Sequence, residues 1–184
     1  MKNAVLQAVL AAATLTLVSS TAMAQNPMVG GAAMLDNRTI VANAAEAPNL
    51  TTLVAAVQAA ELVDALSGDG PFTVFAPTND AFAKLPAGTV ESLLVPEAKD
   101  TLTKILTAHV VAGKLSAADL VAKATAHGGR YNMQTLSGDA LTAVVRGGHV
   151  YIFDESGGAA LVTTADVNQS NGVVHVVDDV LLPR

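Results

Sequence analysis

The fold is decided by Gly70-Pro71-Phe72-Thr73-Val74-Phe75-Ala76-Pro77-Thr78-Asn79-Asp80-Ala81-Phe82, a stretch that holds three of the chain's four phenylalanines. In a strand, alternate side chains point to opposite faces, so Phe72 and Val74 would lie on one face and Phe75 on the other. Each buried phenylalanine contributes about 1.5–3 kcal/mol of transfer free energy. Pro77 would end the strand, and Thr78 is a favourable N-cap for a helix. We therefore predict a buried strand that turns directly into a helix.

The chain divides into three segments around this stretch. Residues 1–24 have the three parts of a secretory signal peptide: Lys2 at the charged start, an apolar run over residues 4–18, and the cleavage site Ala22-Met23-Ala24. The apolar run is shorter than the ~20 residues that a membrane-spanning helix needs. Residues 25–37 are predicted to be a flexible leader and residues 38–184 a single domain. We expect a soluble protein, secreted or periplasmic, once the peptide is removed.

The composition excludes several classes of function. The chain has a formal net charge of −6, and its ten Lys and Arg residues form no basic cluster, so we expect no nucleic-acid partner. No basic amphipathic helix is predicted, and we expect no stable membrane insertion. The absence of cysteine excludes disulfides, thiolate metal sites and cysteine catalysis.

The spacing of apolar residues changes along the chain. Apart from the strand predicted within residues 70–77, residues 39–124 show helical spacing, with Thr39 and Ser116 as N-caps of short helices and Asn49 as the N-cap of a longer one. From Arg130 onward, short apolar runs alternate with turns, and Gly147-Gly148 is the clearest hairpin signal. A helical first half and a strand-rich second half indicate an α+β fold.

The four histidines are the main candidates for catalysis or metal binding, and their surroundings disfavour both roles. His109 completes an apolar helical stripe with Ile105 and Leu106, so it should face the core. His175 and Asp178 fall on opposite faces of the last predicted strand. No histidine has metal-site spacing, and no nucleophile elbow or phosphate-binding glycine loop is present. We predict a protein that is not an enzyme and binds no metal or cofactor.

Two blocks of the sequence, residues 70–82 and 171–183, resemble those of fasciclin domains. Residues 105–113 resemble the family's Tyr-His segment, with Ala108 in place of the tyrosine, and residues 135–138 resemble its Thr-Leu-x-Gly turn. The resemblance covers residues 39–183 and implies a compact wedge of β-sheet with a helical first half packed around it. The matching positions, which we expect to hold the fold, are Phe72, Thr73, Phe75, Pro77, Phe82, His109, Asn171, Gly172, His175 and Asp178.

The resemblance also implies a function, because fasciclin domains usually mediate adhesion or other extracellular interactions without catalysis. The expected partner is a cell-surface or matrix protein or glycan. Loops held by a rigid scaffold commonly carry recognition. We therefore predict a contact rim made of Thr78, Asn79, Asp80, Asp166, Val167 and Asn168.

Two other functions remain open at this point. One is a carrier of a haem-like apolar ligand, bound by histidines and the region of Met133. The other is a hydrolase that uses His109 or His175.

Overall fold

Helices dominate the first half of the chain and strands the second half. The computed structural model describes residues 26–183, so the predicted signal peptide lies outside the described residues. The helices are α1 (Ile40–Ala44), α2 (Thr51–Ala59), α3 (Val63–Ser67), α4 (Asn79–Ala83), α5 (Thr89–Leu93), α6 (Lys99–Ala108), which follows a short 3-10 turn, and α7 (Ala117–Ala126). The strands are β1 (Met28–Val29), β2 (Ala32–Ala33), β3 (Phe72–Pro77), β4 (Val110–Ala112), β5 (Arg130–Gln134), β6 (Ala140–Arg146), β7 (His149–Phe153), β8 (Ala159–Gln169) and β9 (Gly172–Val177). The predicted α+β class is confirmed. Among residues 26–183, no helix is both long and apolar enough to cross a membrane.

Seven strands form one mixed sheet in the order β4-β3-β9-β8-β7-β6-β5. Neighbouring strands are antiparallel except β3 and β9, which run parallel. The two edges meet where Val111 bridges to Thr135 and the Leu136 N–H donates to the Val110 carbonyl oxygen over 2.8 Å. The sheet is therefore nearly closed, with an inner and an outer face.

Strand β3 is buried on both faces, as its alternating apolar residues predict. Val74 and Ala76 lie on the outer face, in a core shared with α1, α2 and α6. Phe75 is fully buried on the inner face, in a second core with Leu120 of α7 and Leu141 of β6. One strand thus belongs to two cores and joins the helical half of the molecule to the strand-rich half.

The predicted turn from β3 into a helix is present, and its Asn79 side chain also caps the N-terminus of α2. The Thr78 hydroxyl accepts a hydrogen bond from the Ala81 N–H over 3.3 Å and caps α4. The Asn79 side chain accepts from the Thr52 N–H and donates to the Thr51 hydroxyl, both over 3.0 Å. The prediction that Asn49 caps this longer helix is wrong, because Leu50 is the N-cap residue and Asn79 satisfies the free N–H.

The segment before the domain is more ordered than its composition predicts. Residues 25–37 were expected to be a flexible leader, but the strands β1 and β2 within them form an antiparallel hairpin. Val29 is only 3% exposed, and Met34 is only 2% exposed. Both pack into the outer core beside Ile40 and Leu50. The hairpin is stabilised by burial of Val29 and Met34 against apolar residues of later helices. Its own glycine-rich sequence does not show that these residues are available.

Candidate functional site

Asn171 joins three parts of the chain at the start of β9. Its side-chain oxygen accepts from the Ile40 N–H over 3.1 Å, and its amide donates to the carbonyl oxygens of Leu66 and Gly68 over 2.8 and 3.1 Å. A Cβ added to Gly172 would lie 2.1 Å from the Phe72 carbonyl oxygen, so a side chain would push β9 away from β3. These two residues of the family pattern therefore lie at the point where the helical half meets the sheet.

His109 is buried and bonded to backbone on both sides of its ring. Nδ1 donates to the Ile105 carbonyl oxygen over 2.8 Å, so Nε2 accepts from the Leu181 N–H over 3.0 Å. Burial lowers the pKa of His109 to about 4, against the smaller opposing effects of the Ile105 hydrogen bond and the Asp154 charge. The neutral ring links α6 to the C-terminal segment, and neither nitrogen is free for chemistry.

His175 has a similar environment on β9. Nε2 donates to the Leu115 carbonyl oxygen over 2.8 Å, and Nδ1 accepts from the Asp166 N–H over 3.3 Å. The ring stacks on Phe75 with centroids 5.6 Å apart. Burial lowers the pKa of His175, so the neutral form is favoured.

Asp178 does not pair with His175. Its carboxylate accepts from the Leu161 N–H over 2.8 Å and lies 3.7 Å from the Lys84 ammonium. Thr73 is also used internally, since its hydroxyl donates to the Gly113 carbonyl oxygen over 2.7 Å and accepts from the Leu115 N–H. The structure therefore brings no histidine and carboxylate of the family pattern together as a catalytic pair among the described residues. Within residues 26–183, no group of three metal-ligating side chains is assembled either.

The two halves of the predicted contact rim lie at different positions along β9. Thr78 follows Pro77, which lies opposite Val177 of β9, whereas Asn168 lies opposite Val173. These positions are four residues apart along β9, about 13 Å at ~3.3 Å per residue, and β9 lies between them. The parallel pairing of β3 with β9 therefore places the two halves of the predicted rim toward opposite ends of β9, and their joint use as one contact surface stays a prediction.

Within each half of this rim, exposure differs from residue to residue. Asp80 and Asn168 are exposed, but Val167 is fully buried in the outer core. Asp166 has a backbone φ of +57°, and its carboxylate accepts from the Ala117 N–H over 2.7 Å at the start of α7. Thr78, Asn79 and Asp166 thus bond to helix N-termini, and Val167 has no surface to offer a partner.

An apolar cavity lies beside His109, between α1, α2 and α6. It is lined by Leu53, Val57 and Leu106 among others, and its volume is about 30 Å³. That volume holds a single water molecule and is far too small for haem. Met133, the other residue considered for a carrier, is 5% exposed within the inner core.

Sequence reasoning missed the outer face of β5, β6 and β7. The register of these strands places Arg130 opposite Val144, Val144 opposite Tyr151, and Arg146 opposite His149 on that face. Helix α7 packs on the other face, where Leu120 meets Leu141. We call this surface the open sheet face; it consists of Arg130, Asn132, Thr142, Val144, Arg146, His149, Tyr151 and Phe153. Alternation along three consecutive strands was the signal that could have revealed it.

Two adjoining depressions mark this surface and share Arg130 and Thr142. The larger, of about 510 Å³, lies at the edge of β5 and is also lined by His127, Tyr131 and Asn132. The smaller, of about 170 Å³, lies on the open sheet face and is also lined by Val144, Arg146 and Phe153. Together they form a shallow groove, here called the arginine groove.

Comparison with known proteins places the chain among bacterial and animal relatives. It is 54% identical to Protein sll1483 of Synechocystis over 159 residues, covering 86% of this chain and 81% of that protein. It is 40% identical to Immunogenic protein MPB70 of Mycobacterium bovis over 141 residues, covering 74% of this chain and 64% of that protein. It is 35% identical to Transforming growth factor-beta-induced protein ig-h3 of Sus scrofa over 133 residues, which is 72% of this chain and 17% of that protein.

The fold and the sequence profile agree on one family. A solved pair of FAS1 domains from the insect cell adhesion molecule Fasciclin I matches with a TM-score of 0.69 at 20% identity, covering 79% of this chain and 51% of that one. Residues 48–183 match the Fasciclin domain family. The chain belongs to the fasciclin-domain family.

Proposed function

We propose that this protein is an exported, non-catalytic interaction module that attaches to a cell-surface or extracellular-matrix partner, either a protein or a glycan. The observation that carries the proposal is how the two buried histidines are bonded. Both ring nitrogens of His109 and of His175 bond to backbone groups, so these side chains hold the fold. The function we propose is then carried by exposed residues, as in an adhesion module.

Relatives support the extracellular setting. The structural neighbour is a domain pair of a cell adhesion molecule, and one relative, 37% identical over 166 residues, is named a cell surface glycolipoprotein of Mycobacterium bovis. Removal of residues 1–24 and release into the periplasm or the medium belong to the same proposal. N-terminal sequencing of the exported protein should give Gln25 as the first residue, and a mature protein that begins at Met1 would refute export by this route.

The adhesion proposal is tested by binding to native material. The purified protein, immobilised on beads, should retain cell-envelope or matrix material saturably, whereas beads carrying the same protein after irreversible heat unfolding should not. Washing with excess free protein should release the bound material. Equal retention by folded and unfolded protein, or retention by neither, would refute the proposed function.

A further inference from the structure

The arginine groove concentrates positive charge on an acidic protein. The chain has a formal net charge of −6, yet neither depression of the groove is lined by an Asp or Glu side chain. Arg130 lines both depressions and Arg146 lines the second. Lys123 stands just beyond the groove, with its ammonium 5.2 Å from the centre of the Tyr131 ring. The local field therefore favours an anionic partner although the whole chain does not.

The arginines of the groove have no carboxylate partner within the described residues. The ion pairs found there use Arg38, Lys84, Lys99 and Lys104, and neither Arg130 nor Arg146. Arg146 lies over the Phe153 ring at 5.9 Å, which restrains its stem without neutralising its charge. Both side chains are exposed. Two unpaired guanidinium groups on one rigid sheet face can bind planar anions without first breaking an ion pair.

The spacing of the arginines suits a partner with repeated charges. Arg130 of β5 lies opposite Val144 of β6. Arg146 follows Val144 by two residues in β6, so its side chain lies on the same face of the sheet as that of Arg130. Diagonal neighbours of this kind are roughly 7–8 Å apart in an antiparallel sheet. An extended polyanion that follows the groove can therefore contact both guanidinium groups with successive acidic groups.

We propose that the arginine groove binds an acidic polysaccharide, with Arg130 and Arg146 each binding a carboxylate of the sugar chain. This inference rests on the proposed adhesion function and names the class of its partner. A guanidinium group donates two parallel hydrogen bonds to one carboxylate, which gives orientation as well as attraction. Asn132 and Thr142 lie beside Arg130, on the side away from Arg146, and supply hydrogen-bonding groups for sugar hydroxyls.

A polysaccharide fits the groove better than an acidic protein does. Protein interfaces are anchored by large side chains that fill well-packed pockets. The larger depression around Arg130 is lined mostly by polar side chains, namely His127, Asn132 and Thr142, with Tyr131 as its single aromatic residue. A hydrated polysaccharide keeps many of its hydrogen bonds when it binds an exposed surface of this kind, because bridging water molecules can replace direct contacts.

The test uses the purified protein and polygalacturonate, a polysaccharide with one carboxylate per sugar. Binding is measured by titration calorimetry at low salt and again at moderate salt, with neutral dextran and poly-glutamate as comparison ligands. The variant is R130Q/R146Q, and the matched control is R38Q/K99Q, which removes the same charge from two exposed ion pairs outside the groove. Thermal unfolding of each variant shows that it is folded before binding is compared.

We expect polygalacturonate to bind the unmodified protein and the control alike, with an affinity that falls as salt rises. R130Q/R146Q should bind it roughly tenfold more weakly or worse, since hydrogen bonds between charged groups are the strong ones. Dextran should not bind. Equal binding by R130Q/R146Q, no binding of polygalacturonate to any of the three proteins, or equal binding of poly-glutamate would overturn the proposal.

The same variant separates this inference from the adhesion function on which it rests. If R130Q/R146Q still retains cell-envelope or matrix material as the unmodified protein does, adhesion stands and the groove is not its site. If the unmodified protein retains no such material, the adhesion function itself fails, whatever polygalacturonate does.

Discussion

Lowering the pH from 7 to about 4.5 should reduce the free energy of unfolding, because His109 must remain neutral to stay buried. Burial lowers the pKa of His109 from its ordinary value of 6.5 to about 4. Between these values the unfolded chain binds a proton that the folded protein does not, so stability falls as the pH falls. The loss begins near pH 6.5 and is complete near pH 4.

The size of this effect follows from the two pKa values. Each pH unit in the window costs about 1.4 kcal/mol, so His109 alone should remove roughly 2–3 kcal/mol between pH 7 and pH 4.5. The pKa of His175 is also lowered by burial, so its contribution has the same sign. A loss of this size is a large fraction of the roughly 5–15 kcal/mol that holds an ordinary domain folded.

Urea unfolding at several pH values between 7 and 4.5 measures this loss directly. H109Q should be less stable than the unmodified protein at pH 7, and its free energy of unfolding should fall by roughly 2–3 kcal/mol less over the same pH range. H127Q is the matched control, because it makes the same replacement at an exposed histidine. A free energy of unfolding that stays constant from pH 7 to 4.5, or an equal pH dependence in H109Q, would refute the assignment.

Three further predictions concern the fold and the predicted contact residues, and urea unfolding measures each. G172A should lower the free energy of unfolding by roughly 2–4 kcal/mol or prevent folding, because the new Cβ would lie 2.1 Å from a carbonyl oxygen of β3. The control G68A would make only ordinary contacts, the nearest at 3.4 Å, and should change stability little. Equal effects of the two substitutions would contradict the close approach of β3 and β9. N79A should lower the free energy of unfolding by about 1 kcal/mol, because it removes the cap of α2. D80A changes an exposed neighbour and should lower it by much less, so a larger loss in D80A would count against the capping role. D166A should cost about 1–2 kcal/mol by leaving the first N–H of α7 without its acceptor, and D166N should cost less because it keeps a side-chain oxygen there. Both variants remove the charge, so equal losses in the two would show that the charge, not the side-chain acceptor, matters.

Much of the fold was predictable because its signals are local. The strand at Phe72–Pro77 and the Thr78 cap are specified by adjacent residues, and both are present. The helical stripe around Ile105 correctly placed His109 in the core. Period, capping and turn chemistry act within a few residues, so the sequence alone exposes them.

The candidate site was less predictable because its parts come from distant positions. The sequence did not show how far apart the two halves of the predicted rim lie, because that distance depends on how β3 and β9 pair, and the pairing joins residues about a hundred positions apart. The hairpin at residues 28–33 looked flexible because the apolar surface that buries Val29 and Met34 belongs to later elements. Arg130 and Arg146 appeared as isolated charges until the register of β5 and β6 placed them on one face.

Residues 70–82 show this difference between local signals and contacts of distant segments. By itself, the sequence determined that residues 70–82 form a buried strand followed by a capped helix, because alternation and capping depend on neighbouring residues. Only the tertiary structure decided that Asn79 caps α2 instead of lying free on a contact rim, and that the outer face of β5–β7 carries the unpaired arginines. The physical reason is that a hydrogen bond or a shared surface between distant segments exists only once the chain has closed on itself, and local sequence carries no record of which segments will meet.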